Sequence, residues 1–158
     1  MQYKAIKHAS DNIVKILSGG VLLWKKRENM VLVKSVYADP TYGNTKPEYL
    51  VDGIKDDDSK RWISAADGNV MISLDFDKSY AIEEIVIYSG ENKGTSKFIG
   101  RIIIEFFGTD FSYTGNVTSY KHVCSFDKKH ETQSLYIWLP SNTMSRVYEI
   151  EVYGDPVK

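Results

Sequence analysis

The strongest constraint on this chain is a two-residue rhythm. In "NVMISLDF" Val70, Ile72, Leu74 and Phe76 fall on one face, and Met71, Ser73 and Asp75 on the other. That alternation suits a half-buried strand. "AIEEIVIY", "RIIIEFF", "YKHVCSF", "QSLYIWL" and "RVYEIEVYG" are further strand candidates, separated by polar or Gly-containing loops at the spacing of an all-β sandwich. No long stretch repeats at helical period. Upstream, "NIVKIL" and "VLLWKK" flank Ser18-Gly19-Gly20 as a hairpin, and "MVLVKSV" reads as a strand. "YADPTYGNTKP" reads as a turn-rich loop, and "EYLVDG" as one helical turn ending at Gly53. Two long polar loops follow, "SGENKGTSKFIG" and "GTDFSYTGNVTS". Long loops with scattered aromatics on a rigid sandwich are where binding concentrates.

Bulk numbers narrow the function. With 42% hydrophobic and 13% aromatic residues, the 158-residue chain can bury a real core as one domain with a small appendage. Lys plus Arg (20) balances Asp plus Glu (21), so no global attraction draws it to nucleic acid or an anionic membrane. No segment reaches the roughly 20 apolar residues of a membrane span. The single Cys124 forms no internal disulfide and reads as a buried small hydrophobe. The opening residues lack the apolar stretch of a secretory signal. A virion or extracellular location reached by another route is expected, with the cytoplasm also open. No G-x-S-x-G, H-E-x-x-H, P-loop or dinucleotide fingerprint occurs. His8, His122 and His130 lack zinc spacing, and Glu83-Glu84 point to opposite faces of a strand. The chain is expected not to be an enzyme.

"YLVDGIKDDDSKRWIS" sets Asp52, Asp56, Asp57 and Asp58 within seven positions. A hard cation such as calcium takes six to eight oxygens at about 2.3–2.6 Å, and an acidic loop can supply them. The EF-hand order is absent. On composition alone, a solvated loop and a metal site stand level.

The order "YLVDG…SKRWIS", "VMISLDFDKSYAIEEIVIY" and "RVYEIEVYG" resembles the discoidin or coagulation-factor C-type domain, whose family includes family-32 carbohydrate-binding modules and fucose-binding lectins. The resemblance covers about residues 34–154. It implies an eight-stranded jelly-roll β-sandwich of the galactose-binding-domain type. It also implies a structural calcium held by Asp52 and Ser59 side chains, by the Tyr49, Ile54 and Tyr148 carbonyls, and by Glu149, with Glu151 as the fallback ligand. Trp62 is expected in the core beside the metal loop. For a glycan, the resemblance points to loops at one end of the sandwich. The candidates there are Tyr42, Asn44, Asn92, Lys97, Arg101, Phe111 and Tyr113, with Trp62, Lys93 and Phe98 nearby. Many galactose binders carry an arginine after the "I-x-I-Y" strand; here Ser89-Gly90 stands there, and Arg101 is the substitute.

Residues 1–33 lie outside that resemblance. "NIVKILSGGVLLWKK" resembles a short segment of phage tail and other virion proteins that precedes a sandwich domain. The expected organisation is an attachment hairpin over 1–33 and a discoidin-like sandwich over 34–158. The expected function is non-catalytic carbohydrate binding within a virion or surface assembly that adheres to bacterial glycans. The alternative is a particle protein that decorates or oligomerises and binds no sugar. Expected partners are a glycan or polysaccharide, other virion proteins and further copies of the chain, with no nucleic acid and no membrane.

Overall fold

A computed structural model describes residues 4–7, 13–18, 21–25, 29–65, 70–92, 96–139 and 144–158, with side chains from residue 29 onward. The chain divides into two units, residues 1–30 and 31–158. The first is a three-stranded antiparallel sheet of β1 (Lys4–Lys7), β2 (Ile13–Ser18) and β3 (Val21–Lys25), in the order β1-β2-β3. The strands expected to flank Ser18-Gly19-Gly20 do pair, Ser18 opposite Val21; the two glycines lie outside the described residues.

The second unit holds β4 (Val33–Asp39), β5 (Trp62–Ile63), β6 (Val70–Ser89), β7 (Gly100–Phe106), β8 (Ser112–Val117), β9 (Lys121–Leu139) and β10 (Arg146–Pro156). Single 3-10 turns occupy Pro47–Leu50 and Asp58–Lys60. The helical turn expected over "EYLVDG" is the first of these, and Gly53 lies beyond it at φ +81°. Val31, placed by sequence in the attachment segment, belongs here: it is buried, and its N–H donates to the Val152 carbonyl (2.9 Å).

"NVMISLDF" and "AIEEIVIY", read as two strands, are one strand, β6. "YKHVCSF" and "QSLYIWL" likewise merge into β9. The polar stretches between them, 77–79 and 127–132, hold no Gly or Pro, so the backbone stays extended and bends instead of turning. Register shifts mark the bends, between Asp75 and Tyr80 and between Ile82 and Glu84. At the first, the Tyr80 ring meets Phe76 edge-on with centroids 6.0 Å apart. The early half of β6 pairs β4 and the late half of β9, which continues to β7 and β8. The late half of β6 pairs β10, which carries β5, and the early half of β9. Counting the halves separately gives eight long strand segments and the two-residue β5. The fold is the expected all-β jelly-roll sandwich.

The second long loop shrinks. Within "GTDFSYTGNVTS", 112–117 forms β8, because Tyr113 and Val117 face the core while Ser112, Thr114 and Asn116 face water. A Cβ on Gly115 would stand 2.6 Å from the Tyr113 ring, so the glycine makes room for it.

One core spans both layers, with Ile72, Leu74, Ile104 and Ile137 packed in the same cluster as Ile82, Ile85, Val147 and Ile150. Trp62 is fully buried, as expected, and its Nε1 donates to Thr41 Oγ1 (2.9 Å). Burial also pushes the Cys124 thiol up to about 12, which makes it an inert core residue.

Gly154 supplies a direct check on the β6–β10 seam. A Cβ there would lie 2.6 Å from the Ala81 carbonyl oxygen and 2.9 Å from Ile82 Cα, both backbone atoms. Gly154→Ala should therefore cost about 1–3 kcal/mol in denaturant unfolding, in the range of overpacking changes. Unchanged stability would mean the seam yields freely.

Candidate functional site

The acidic run lies against the outer face of the β10 layer, and its four aspartates have separate tasks. Asp52 Oδ1 accepts the Ile54 N–H (2.9 Å). Asp57 Oδ1 accepts both the N–H (2.8 Å) and the hydroxyl (2.7 Å) of Ser59, starting the second 3-10 turn. Asp58 accepts the Tyr148 hydroxyl and pairs with Arg61 (2.8 Å). Asp56 is exposed.

Beneath the loop, Glu149 and Glu151 project from β10 on one face and are both buried. Glu151, the fallback metal ligand, is already neutralised. Lys55 Nζ lies 2.5 Å from its Oε1, and the Tyr88 and Tyr153 hydroxyls donate to Oε2 (3.1 and 3.0 Å). Burial alone would raise its pKa, but the Lys55 ammonium and the two tyrosine hydroxyls together outweigh it and hold the carboxyl below its ordinary range. The Tyr120 hydroxyl donates to the Lys55 carbonyl and pins the loop from the other side.

Glu149 is in the opposite state. It is 1% exposed, its Oε2 accepts the Gly53 N–H (2.9 Å), and its Oε1 has no partner. Burial pushes its pKa up to about 8, with the Asp52 and Glu151 charges adding to the rise. A buried carboxylate with an orphaned oxygen next to a second carboxylate fits a hard cation. Tyr148 lies where the β6–β10 register shifts between Val147 and Glu149. Tyr49 is half-buried with Lys60 Nζ 5.2 Å from its ring centroid, and Ile54 is half-buried. Of the six expected ligands, the structure thus brings Asp52 and Glu149 together through Gly53. The Ser59 hydroxyl donates to Asp57 instead. Among the described residues no three Asp, Glu, His or Cys side chains gather as a ready cage, so main-chain oxygens would have to complete it.

The glycan candidates divide between the two ends of the sandwich. Tyr42 is 53% exposed on a turn held by the Thr45 hydroxyl, which donates to the Tyr42 carbonyl (2.8 Å). Asn44 is exposed on the same turn. The Tyr42 N–H donates to the Ile63 carbonyl (2.8 Å), and Ile63 pairs with Arg146. Arg146 Nε lies 2.6 Å from Glu91 Oε1, and Lys97 Nζ lies 2.9 Å from Glu91 Oε2. Lys97 first, then Arg146 and Arg61, hold the Glu91 carboxyl below its ordinary range. Asn92 (φ +49°) and Lys97 (φ +55°) occupy the left-handed region that non-glycine residues enter at a cost. Arg101 is exposed at the start of β7, opposite Asn116, and Phe98 is half-buried. Lys93 lies outside the described residues.

Phe111 and Tyr113 do not join this group. The Phe111 ring stacks on the buried His130 with centroids 3.5 Å apart and planes 12° from parallel, at the far end of β7. Tyr113 packs edge-on to Phe126 (5.6 Å) against the core. Sequence reasoning missed Glu91, Arg146 and Arg61. Arg146 opens "RVYEIEVYG", where it was read as part of a strand pattern; Glu91 carries no local signal of its distant partner.

No family profile matches the chain, and no curated protein does. Solved structures do. The lectin binding domain of lectinolysin, a His 62 mutant complexed with Lewis b, matches with TM-score 0.67 at 16% identity, over 82% of this chain and 98% of that one. A Streptococcus pneumoniae fucose binding module, SpX-3, matches with TM-score 0.64 at 21% identity, over 80% and 98%. The family 32 module of C. perfringens NanJ, in complex with galactose, matches with TM-score 0.59 at 15% identity, over 75% and 92%. The chain shares the fold of these modules.

The raised Glu149 pKa has a sign that can be measured. In chelator, the folded protein holds a proton on Glu149 that the unfolded chain releases near pH 4.5. Stability should fall as pH rises from about 4.5 to 8, and Glu149→Gln should flatten that part of the profile. Parallel profiles for parent and variant would contradict the assignment.

Proposed function

We propose that residues 31–158 form a non-catalytic carbohydrate-binding module whose site is the loop end carrying Tyr42, Arg146, Glu91 and Lys97. The observation that carries this reading is an exposed tyrosine ring whose backbone neighbours an Arg–Glu–Lys ionic cluster. Pyranose rings stack their apolar faces on aromatics, while a guanidinium and a carboxylate take the hydroxyls by charge-assisted hydrogen bonds. Support comes from the fold's solved neighbours, whose names record Lewis b and galactose as ligands. A calcium ion at Asp52 and Glu149 completes the reading; it would tie the acidic loop to β10 and take no part in chemistry. The separate three-stranded unit of residues 1–30 favours attachment to a larger assembly, of which a virion adhering to bacterial surface glycans is the form we propose.

A glycan array with the full chain tests the first part. Saturable binding is expected, and Tyr42→Ala should weaken it about fivefold to thirtyfold with little change in melting temperature. Silence across the array together with stable self-association would assign the chain to a structural or oligomerising role.

Chelation tests the metal. An ion that binds only the folded state stabilises it by mass action. Chelator should therefore lower the melting temperature, and Asp52→Ala should abolish that response. Identical melts in calcium and in chelator would remove the ion from the account.

A further inference from the structure

The outer face of the β4–β6–β9–β7 layer carries an array that the loop-end site does not use. Tyr37 lies opposite Ser73, Ser73 opposite Tyr136, and Tyr136 opposite Glu105, one row across four strands. Trp138 stands one face-step along from Tyr136, and its Nε1 donates to Glu105 Oε2 (2.8 Å). Phe107 meets Tyr136 edge-on at 6.2 Å. Tyr37 on β4 is 56% exposed, and Phe107, the residue after β7, is 60% exposed. Beside them, a concavity of about 340 Å³ is lined by Glu105, Asp110, Phe107 and Tyr136 among others, with no basic side chain.

Around this row the charge has one sign; on β7 the nearest cation is Arg101, two face-steps from Glu105 at the start of the strand. Segments 35–39, 71–75, 103–107 and 134–138 contain Asp39, Asp75 and Glu105 and no Lys or Arg. The whole of residues 31–158 carries 14 Lys and Arg against 19 Asp and Glu, a net charge of −5. Aromatic faces and carboxylates both attract ammonium groups, the first through the ring quadrupole. An anionic polymer is disfavoured here by the same charges. A basic peptide fits less well than a sugar chain: β4 pairs only with β6, so a peptide that extended the sheet would lie along the free edge of β4, beside the row of rings and not across it. Flat rings in a row suit pyranose faces instead.

We propose that this face is a second binding site, for a hexosamine chain bearing free amines. The aromatics would stack on successive sugar rings, and Glu105 and Asp75 would take the ammonium groups. The proposal rests on the carbohydrate-binding reading only for the ligand class, and its residues are distinct from those of the loop end.

Calorimetric titration of the full chain with a fully deacetylated glucosamine hexamer tests it, with the N-acetylated hexamer and a lysine hexapeptide as comparison ligands. The deacetylated hexamer should bind. Tyr37→Ala and Glu105→Gln should each weaken it about fivefold to thirtyfold, with melting temperatures close to the parent's. Equal binding of the N-acetylated hexamer would overturn the amine preference. Lysine-peptide binding with the same dependence on Tyr37 and Glu105 would give the face to basic peptides. Absence of binding, or binding insensitive to both variants, would overturn the site. Hexamer binding that falls with Tyr42→Ala instead would move the ligand to the loop end, and failure of the hexamer would leave array binding at Tyr42 untouched.

Discussion

Two long strands, β6 and β9, hold this sandwich together. They pair from Val70–Leu139 at one limit to Tyr88–Lys121 at the other, and bend together as they pass from one layer to the next. Every other strand of the larger unit except β5 and β8 hydrogen-bonds to one of them directly. The arrangement gives both layers one core, and it fixes which connections share an end. Residues 39–45, 89–92, 96–100 and 145–146 meet at one end because the pairing of β6 with β4 and β10 delivers them there.

Glu149 and Glu151 show how environment separates two identical side chains. They are two residues apart, on one face, and buried beneath the same loop. Lys55 and two tyrosine hydroxyls stabilise the charged form of Glu151. Glu149 has one backbone N–H and a neighbouring carboxylate, so burial favours its neutral form. Lys55 also carries the loop, since its ammonium is tied to Glu151 of β10 and its carbonyl to Tyr120, just ahead of β9. The loop is thus partly organised by the chain's own cation, and an added metal would tighten an existing fastening.

Much of the fold was legible because alternation is a local signal. The Val70–Phe76 rhythm and the inert Cys124 follow from residue type and neighbours, and the buried Trp62 from the family resemblance. The continuity of β6 and β9 was not legible, because a polar stretch reads the same whether it turns or bends. β8 was missed because "SYTGNV" is polar on one side and carries a glycine whose purpose appears only when the Tyr113 ring is placed. The site was legible in part. The Gly53 N–H bonded to Glu149 sets Asp52 near that carboxyl, while the Ser59 hydroxyl turns to Asp57. Phe111 and Tyr113 look like loop aromatics in the sequence, yet His130 and Phe126, placed by the bend in β9, take them into packing. Arg146 and Glu91 form a pair that only the three-dimensional fold brings together.

The claim at the centre of this account is that the Tyr42 end of the sandwich binds carbohydrate. Chemical-shift mapping of the isotope-labelled chain, titrated with a neutral glycan that it binds, tests that claim most directly. The account predicts saturable shifts at the amides of 41–46, 89–92, 96–100 and 145–146, with those of 107–111 unmoved. Shifts confined to 107–111, or the absence of saturable shifts around Tyr42 and Arg146, would contradict it.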